Sequence, residues 1–361
     1  MPRITALFVC TEKESYPRNN QTLKALNDNF EVIKITSGKS SYPLRIIEVL
    51  TRLAFALILN DYQLILAGFL GQPLAPVIKL LTKKPLILDA FVSVYDALCL
   101  DRKDFKPGSL IGRAAYCLDA LSFRLADKII TDTKANADFF SKLFKVDRKK
   151  FYTLYMGTDE SVFYPRPDKI NNGKFTVFFH GTFWGLHGIE YIIKAAKLLE
   201  NRQDILFKLL GGGREKKKIV KLADDLGLKN ARFLDWISYQ DLSSRIAESD
   251  LCLGGHFSAS EKAKRVISGK SIQYLAMKKP VIAGDSPAAK ELFTHAENIY
   301  LCAMADEKSL AEAIIRLKEN PSLREKIAQS GFELFKARLS APQARKGLAE
   351  IIGSSRSNDL A

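Results

Sequence analysis

The chain has 361 residues, 47% of them hydrophobic, and 55 Lys+Arg against 40 Asp+Glu give it a net charge of +15 and a pI near 9.4. That length exceeds one comfortable core and suits two domains, and the composition excludes a disordered or fibrous chain. The basic excess, present in both halves, points to an anionic partner: nucleic acid, a phospholipid surface or a phosphorylated small molecule.

The first residues, MPRITALFVC, read as a strand rather than a signal peptide, since a separate charged region and a cleavage site are lacking. ITALFVC, FEVIKIT, LILAG, LILDAF, KIITDT and FYTLY are strand-like runs. They alternate with helix-like segments at 20–28, 44–60, 74–83, 111–126 and 135–144. Such alternation predicts a parallel sheet with right-handed crossovers. The most apolar stretch, 46–59, is interrupted by Glu48 and Arg52 and is too short to span a bilayer. After Pro165 a polar stretch over 166–174 reads as a linker.

The pattern then restarts with TVFFHG, ILFKLLGG, ARFLDW, LCLGG, KPVIAG and NIYLCAM, interleaved with helices at 188–202 and 215–226 and followed by helices at 309–318 and 323–339. The expected division is an N-terminal Rossmann-like domain over 1–165, the linker, a second Rossmann-like domain over 175–335, and a C-terminal helix and tail over 336–361, frayed beyond Ser354. The fold class is α/β, two Rossmann-like domains facing across a cleft, with ligands beyond the carboxyl ends of the strands. The five cysteines, Cys10, Cys99, Cys117, Cys252 and Cys302, lack CxxC spacing. They imply a reducing compartment and no metal site.

Four loops of the second half follow strand ends. The turn from Gly181 through Thr182, Phe183 and His187 to Gly188 offers backbone amides to an anion, or is merely a tight connection. Gly211–Gly213 is a second close-approach loop. Trp236, Ile237 and Ser238 end a third strand; backbone groups at Ile237 and Ser238 suit a base edge, while Trp236 by general burial tendency belongs in the core. The fourth is the strongest. Lys262, Lys264 and Arg265 precede the Ser268-Gly269 turn and a helix starting at Lys270 and Ser271. Unpaired helix amides and nearby cations together make a phosphate site. A P-loop is excluded, because its leading glycine would fall at position 264, which is lysine. Gln273, one turn into that helix, offers donor and acceptor to a ligand hydroxyl, or is simply a surface glutamine. In the first half, Asp89 and Asp96 in LILDAFVSVYD are candidates to polarise an acceptor hydroxyl; an Asp ending a strand is equally often a turn or cap residue.

RLADKIITDTKANADFFSKLF, FYTLYMGTDESVFYP, FHGTFWGLHGIEYIIKAAKLL, FKLLGGG, ARFLDWISYQDLSSRIAESDLCL and KSIQYLAMKKPVIAGDSPAAKEL, in this order, resemble the retaining GT-B glycosyltransferases of family 4. The resemblance implies sugar transfer with retention from a nucleotide-diphosphate sugar to a glycan or lipid-linked acceptor, with no metal and no further cofactor. It places the turn from Gly181 to Gly188 at the donor diphosphate and the Gly212 loop close by. It also places Trp236–Ser238 at the base, the segment from Gly254 through Lys262, Lys264 and Arg265 to Lys270 and Ser271 at phosphate and sugar, and Gln273 at the ribose. Arg265 and Gln273 stand where the family commonly has two glutamates, and His187 stands at a usual lysine. That exchange moves the phosphate-binding charge to Lys262–Lys270.

Two helix-like segments, YPLRIIEVLTRLAFALILN and DRKDFKPGSLIGRAAYCLDALSFR, suit an anionic membrane surface or the core of a Rossmann unit. The expected location is cytoplasmic, including peripheral attachment to the inner face of the membrane. The alternatives are a non-catalytic sugar-nucleotide binder and a basic nucleic-acid-binding protein; no nucleic-acid motif is present, and none is expected as a partner.

Overall fold

The computed structural model describes residues 4–167 and 173–353. Two units divide the chain: Met1–Met156 with Ala341–Ala361, and Gly157–Ser340. The expected first-domain end at Pro165 therefore lies inside the second unit. The C-terminal helix, expected as a separate segment over 336–361, belongs from Ala341 to the first unit. The central part of the expected linker, 168–172, and the tail from 354 lie outside the described residues.

In the first unit the strands are β1 (Thr5–Val9), β2 (Glu31–Ile35), β3 (Leu64–Ala67), β4 (Leu86–Asp89), β5 (Lys128–Thr131) and β6 (Phe151–Thr153). All pair in parallel in the order β2-β1-β3-β4-β5-β6. β3, β4 and β5 are buried along their whole length, which is why they read as near-continuous apolar runs rather than alternating ones. One sheet face is covered by α1 (Pro17–Asn27) and by α13 (Ala341–Gly353), whose Leu348, Ile351 and Ile352 complete that core. The other face carries α2 (Tyr42–Leu59), α3 (Ala75–Leu81), α4 (Leu110–Leu125) and α5 (Lys134–Phe144). Pro17 and Pro43 sit in the first turns of α1 and α2, where no amide hydrogen is needed. Among the described residues no helix is long and apolar enough to cross a membrane.

The second unit has β7 (Phe175–Thr182), β8 (Ile205–Gly212), β9 (Ala231–Leu234), β10 (Leu251–Leu253), β11 (Val281–Gly284) and β12 (Tyr300–Cys302). They form a second parallel sheet, ordered β12-β11-β10-β7-β8-β9. The chain leaves β7 toward β8 and leaves β10 toward β11, in opposite directions. The ends of these two neighbours are the topological switch point, where open α/β sheets bind ligands. The helices are α6 (Ile189–Leu198), α7 (Lys216–Asp225), α8 (Tyr239–Ala247), α9 (Glu261–Arg265), α10 (Gly269–Ala276), α11 (Glu307–Glu319) and α12 (Pro321–Arg338).

Candidate functional site

β7 ends in His180, Gly181 and Thr182, then turns through Gly185–His187 to Gly188, the N-cap of α6. Gly188 has φ +65°, and a Cβ there would stand 2.4 Å from the Ser258 amide nitrogen. Only glycine meets both constraints. Beside it, β10 runs on through Gly254 and Gly255 to the buried His256. The His187 and His256 rings stack, with centroids 5.1 Å apart and planes 9° from parallel.

Lys270, in the first turn of α10, projects into this corner. Its Nζ lies 3.3 and 3.4 Å from the two ring nitrogens of His187 and 5.4 Å from the Phe179 ring centre. A Cβ on Gly181 would come within 3.0 Å of Lys270 Cε, so the bare backbone makes room for the amine. Lys270 is buried, and no carboxylate among the described residues lies within ion-pair distance of it. Loss of hydration pulls its pKa down to about 7. Burial first, and the Lys270 charge second, hold His180 and His256 at about 3, and His187 well below the usual value for the same reasons. The corner is therefore built from groups whose charged forms are all disfavoured by loss of hydration.

The N-caps supply a second sign. Ser238, Ser260, Asp306 and Asn320 each accept a hydrogen bond from an amide in the first turn of their helix. Ser268, in the same position before α10, makes no such bond, and its Oγ is buried without a partner. Ser271 Oγ, His180 Nε2 and His256 Nδ1 are in the same state. Four of the ten such atoms among the described residues thus gather around Lys270. Buried polar atoms without partners are rare, and a cluster of them marks a place for a ligand.

Other expected residues fall as follows. Gln273 is half-buried, with its side chain beside His180 and Tyr239, so it is not a free surface glutamine. Arg265 is buried and its Nε donates to the Glu261 carbonyl, while Lys264 pairs with Glu261 at the surface at 2.7 Å. Lys262 is half-buried, and its charge reaches His256. Of the expected cations, Lys270 is the one whose amine stands against the His187 ring. Thr182 and Ile237 are half-buried. Phe183 turns into the core, and its amide and carbonyl are both used within the fold, by Gly212 and Glu215. Trp236, for which the sequence suggests both the core and a place at the base, is 56% exposed, and its Nε1 lies 3.2 Å from where a Gly212 Cβ would be.

In the first unit Asp89 is buried and clamped by Arg18, Nε–Oδ2 2.8 Å and NH2–Oδ1 3.3 Å, with a further bond from the Phe91 amide. Both carboxylate oxygens are occupied, which reads as architecture. Asp96 is also buried, its amide bonded to Ser93 Oγ. Sequence reasoning passed over Asp119 on α4. It accepts from Ser93 Oγ at 2.6 Å and the Tyr95 amide at 2.8 Å, and desolvation lifts it to about 6. His180 and His256 were likewise not singled out. Their signal was positional, a histidine at the end of a buried strand in FFHG and LCLGGH.

Residues 163–334 match the family model described as Glycosyl transferases group 1. The second unit is a glycosyl transferases group 1 domain. The chain is 28% identical over 167 residues to the lipopolysaccharide core biosynthesis glycosyltransferase LpsD of Rhizobium meliloti, covering 46% of each. The chain spans about half the length of the curated relatives it matches. Among solved structures, Anabaena Alr3699/HepE in complex with UDP aligns over 97% of this chain and 100% of that one, with a TM-score of 0.74 at 18% identity. Sucrose-phosphate synthase from Thermosynechococcus elongatus aligns over 99% and 100%, with a TM-score of 0.76 at 14% identity. These likenesses make the fold GT-B.

Proposed function

We propose that this chain is a glycosyltransferase that takes its sugar from a nucleoside-diphosphate sugar and transfers it, with retention, to a glycan or lipid-linked acceptor. The single observation that carries the reading is the buried Lys270 ammonium, without a carboxylate partner, at the switch point between β7 and β10. A diphosphate supplies the missing countercharge. Its oxygens accept from Lys270 and from the Ser268 and Ser271 hydroxyls, and the N-terminal amides of α10 add the helix dipole. Trp236, exposed beside Gly212, offers an aromatic face to the base. HepE structures hold UDP and UDP-glucose, and their shared fold supports the same donor class here.

Catalysis then rests on stabilising charge as it develops. When the glycosyl–oxygen bond breaks, negative charge grows on the departing diphosphate, and a desolvated cation already in place stabilises it without reorganisation. In this reading the leaving group needs neither a metal nor a further cofactor, and no nucleic acid is a partner. The test is release of nucleoside diphosphate from a panel of UDP-, GDP-, ADP- and CDP-sugars, with and without glycan acceptors. One observation favours a second reading, a non-catalytic nucleotide-sugar binder: Asp89, the first candidate base, is consumed by Arg18. Tight nucleotide binding with no turnover of any donor would favour that reading.

A further inference from the structure

The helices α2, α3 and α4 share one core cluster on their inner sides, and their outer sides are apolar. On α2 the exposed large side chains are Leu44, Ile47, Phe55, Ile58 and Leu59, a spacing that puts them along one face of a helix. Leu80 and Leu81 continue the layer on α3, at 84% and 48% exposed, and Leu110 and Leu121 on α4, at 85% and 46%. Among the described residues, eleven of the fifteen large apolar side chains exposed on this protein lie between positions 44 and 121.

The charges between them are of one sign. Every exposed residue on these three helices that carries a charge at neutral pH is an arginine: Arg52, Arg113 and Arg124. The acids they carry are withdrawn. Glu48 is half-buried, accepts from Ser37 Oγ and pairs with Arg52 at 3.7 Å, and Asp119 is buried. Just beyond α4, Asp127 is neutralised by Lys79 at 2.7 Å. Asp61 follows the end of α2, and Lys83 and Lys84 follow α3.

A surface made for a protein partner mixes both signs around its apolar centre. Apolar residues interleaved with an excess of cations, with the acids Asp61, Asp104 and Asp127 confined to the ends of the helices, match the boundary of an anionic bilayer, where the apolar side chains enter the acyl region and the guanidinium groups meet lipid phosphates. We propose that the outer face of α2, α3 and α4 is a docking surface for an anionic lipid bilayer. Each of the two helix-like segments in question is thus a core helix on one side and a membrane-facing helix on the other. The inference goes beyond the nucleotide-sugar reading and does not depend on it.

The experiment is co-sedimentation of the full chain with vesicles of phosphatidylcholine, with and without phosphatidylglycerol. UDP binding is measured in parallel. The expected result is binding to the phosphatidylglycerol vesicles that weakens with salt and is near background on phosphatidylcholine alone. The double variant Ile47→Glu/Ile58→Glu, at sites already exposed, is expected to reduce binding to background with its thermal melting point and UDP affinity retained. Arg52→Gln and Arg113→Gln should each weaken binding about fivefold. Several results would overturn the proposal: no binding to phosphatidylglycerol vesicles at low salt, equal binding to both vesicles, or binding indifferent to the glutamate pair. So would a concentration-dependent dimer that the glutamate pair abolishes, since the face would then be covered by a second copy.

Discussion

Lys270 Nζ stands 3.3 Å from His187 Nε2 and 3.4 Å from Nδ1, and that imidazole is stacked on His256. A cation held against neutral rings, out of water and away from any carboxylate, is tolerated only because the amine is easily deprotonated. An arriving dianion reverses this, since it favours the charged form of every group there.

The pH dependence of stability follows. Lys270 has a folded pKa of about 7 against an ordinary 10.5, so between those values the unfolded chain binds more protons than the folded one, and stability rises with pH across that window. Below about pH 7 the buried charge is present in full and the destabilisation is greatest. Lys270→Met should remove this dependence. Melting temperatures between pH 7 and 10 should climb more steeply for the wild type than for the variant. His180 and His256 act in a lower window, between about 3 and 6.5, and Asp119 acts with opposite sign between 3.8 and about 6. Neither disturbs the comparison above pH 7.

The Arg18–Asp89 pair separates architecture from catalysis. Both side chains are buried, and removing one leaves the other uncompensated. Arg18→Ala should therefore cost on the order of 3–5 kcal/mol in urea unfolding. Asp89→Asn should likewise destabilise. If it instead abolishes sugar transfer while leaving stability intact, Asp89 is a base and the architectural assignment is wrong.

Gly188 joins the β7 turn to α6 at φ +65° with the Ser258 amide 2.4 Å from a would-be Cβ. Gly188→Ala should lower stability by more than ~1 kcal/mol and weaken UDP binding, because the turn that carries His187 must shift. Parallel thermal-shift and calorimetric titrations would show both effects or neither.

Cysteine reactivity is expected to single out one site. Cys10, Cys252 and Cys302 are buried with pKa values pushed up to about 12, and Cys99 is buried too, whereas Cys117 is exposed. A thiol reagent should modify one cysteine per native chain rapidly, and Cys117→Ser should abolish that fast phase.

Much of this architecture was legible in the sequence for a simple reason. Runs such as LILD and KIIT are buried on both faces, and only a parallel sheet asks for that. Lys270 and Ser271 could be singled out from sequence because a cation beside a helix start is a local feature; the proposed diphosphate there awaits the titration below. A run of like charges such as Lys262–Arg265 says nothing about which side chain turns inward; here Arg265 Nε donates to the Glu261 carbonyl and Lys264 pairs with the Glu261 carboxylate. The C-terminal helix returning to the first unit, the Arg18 clamp on Asp89 and the gathering of His180 and His256 are contacts between distant positions. A single chain has no local pattern that encodes them. Trp236, two residues past the end of β9, remains 56% exposed, which general burial tendency alone does not indicate.

The central claim is that the Lys270 corner holds a diphosphate, and calorimetric titration of UDP into the wild type and into Lys270→Met at pH 7 tests it most directly. The account predicts saturable binding by the wild type, weakened roughly tenfold to a hundredfold in the variant by loss of a charge-assisted bond. Equal affinities, in a variant that melts no lower than the wild type, would contradict it.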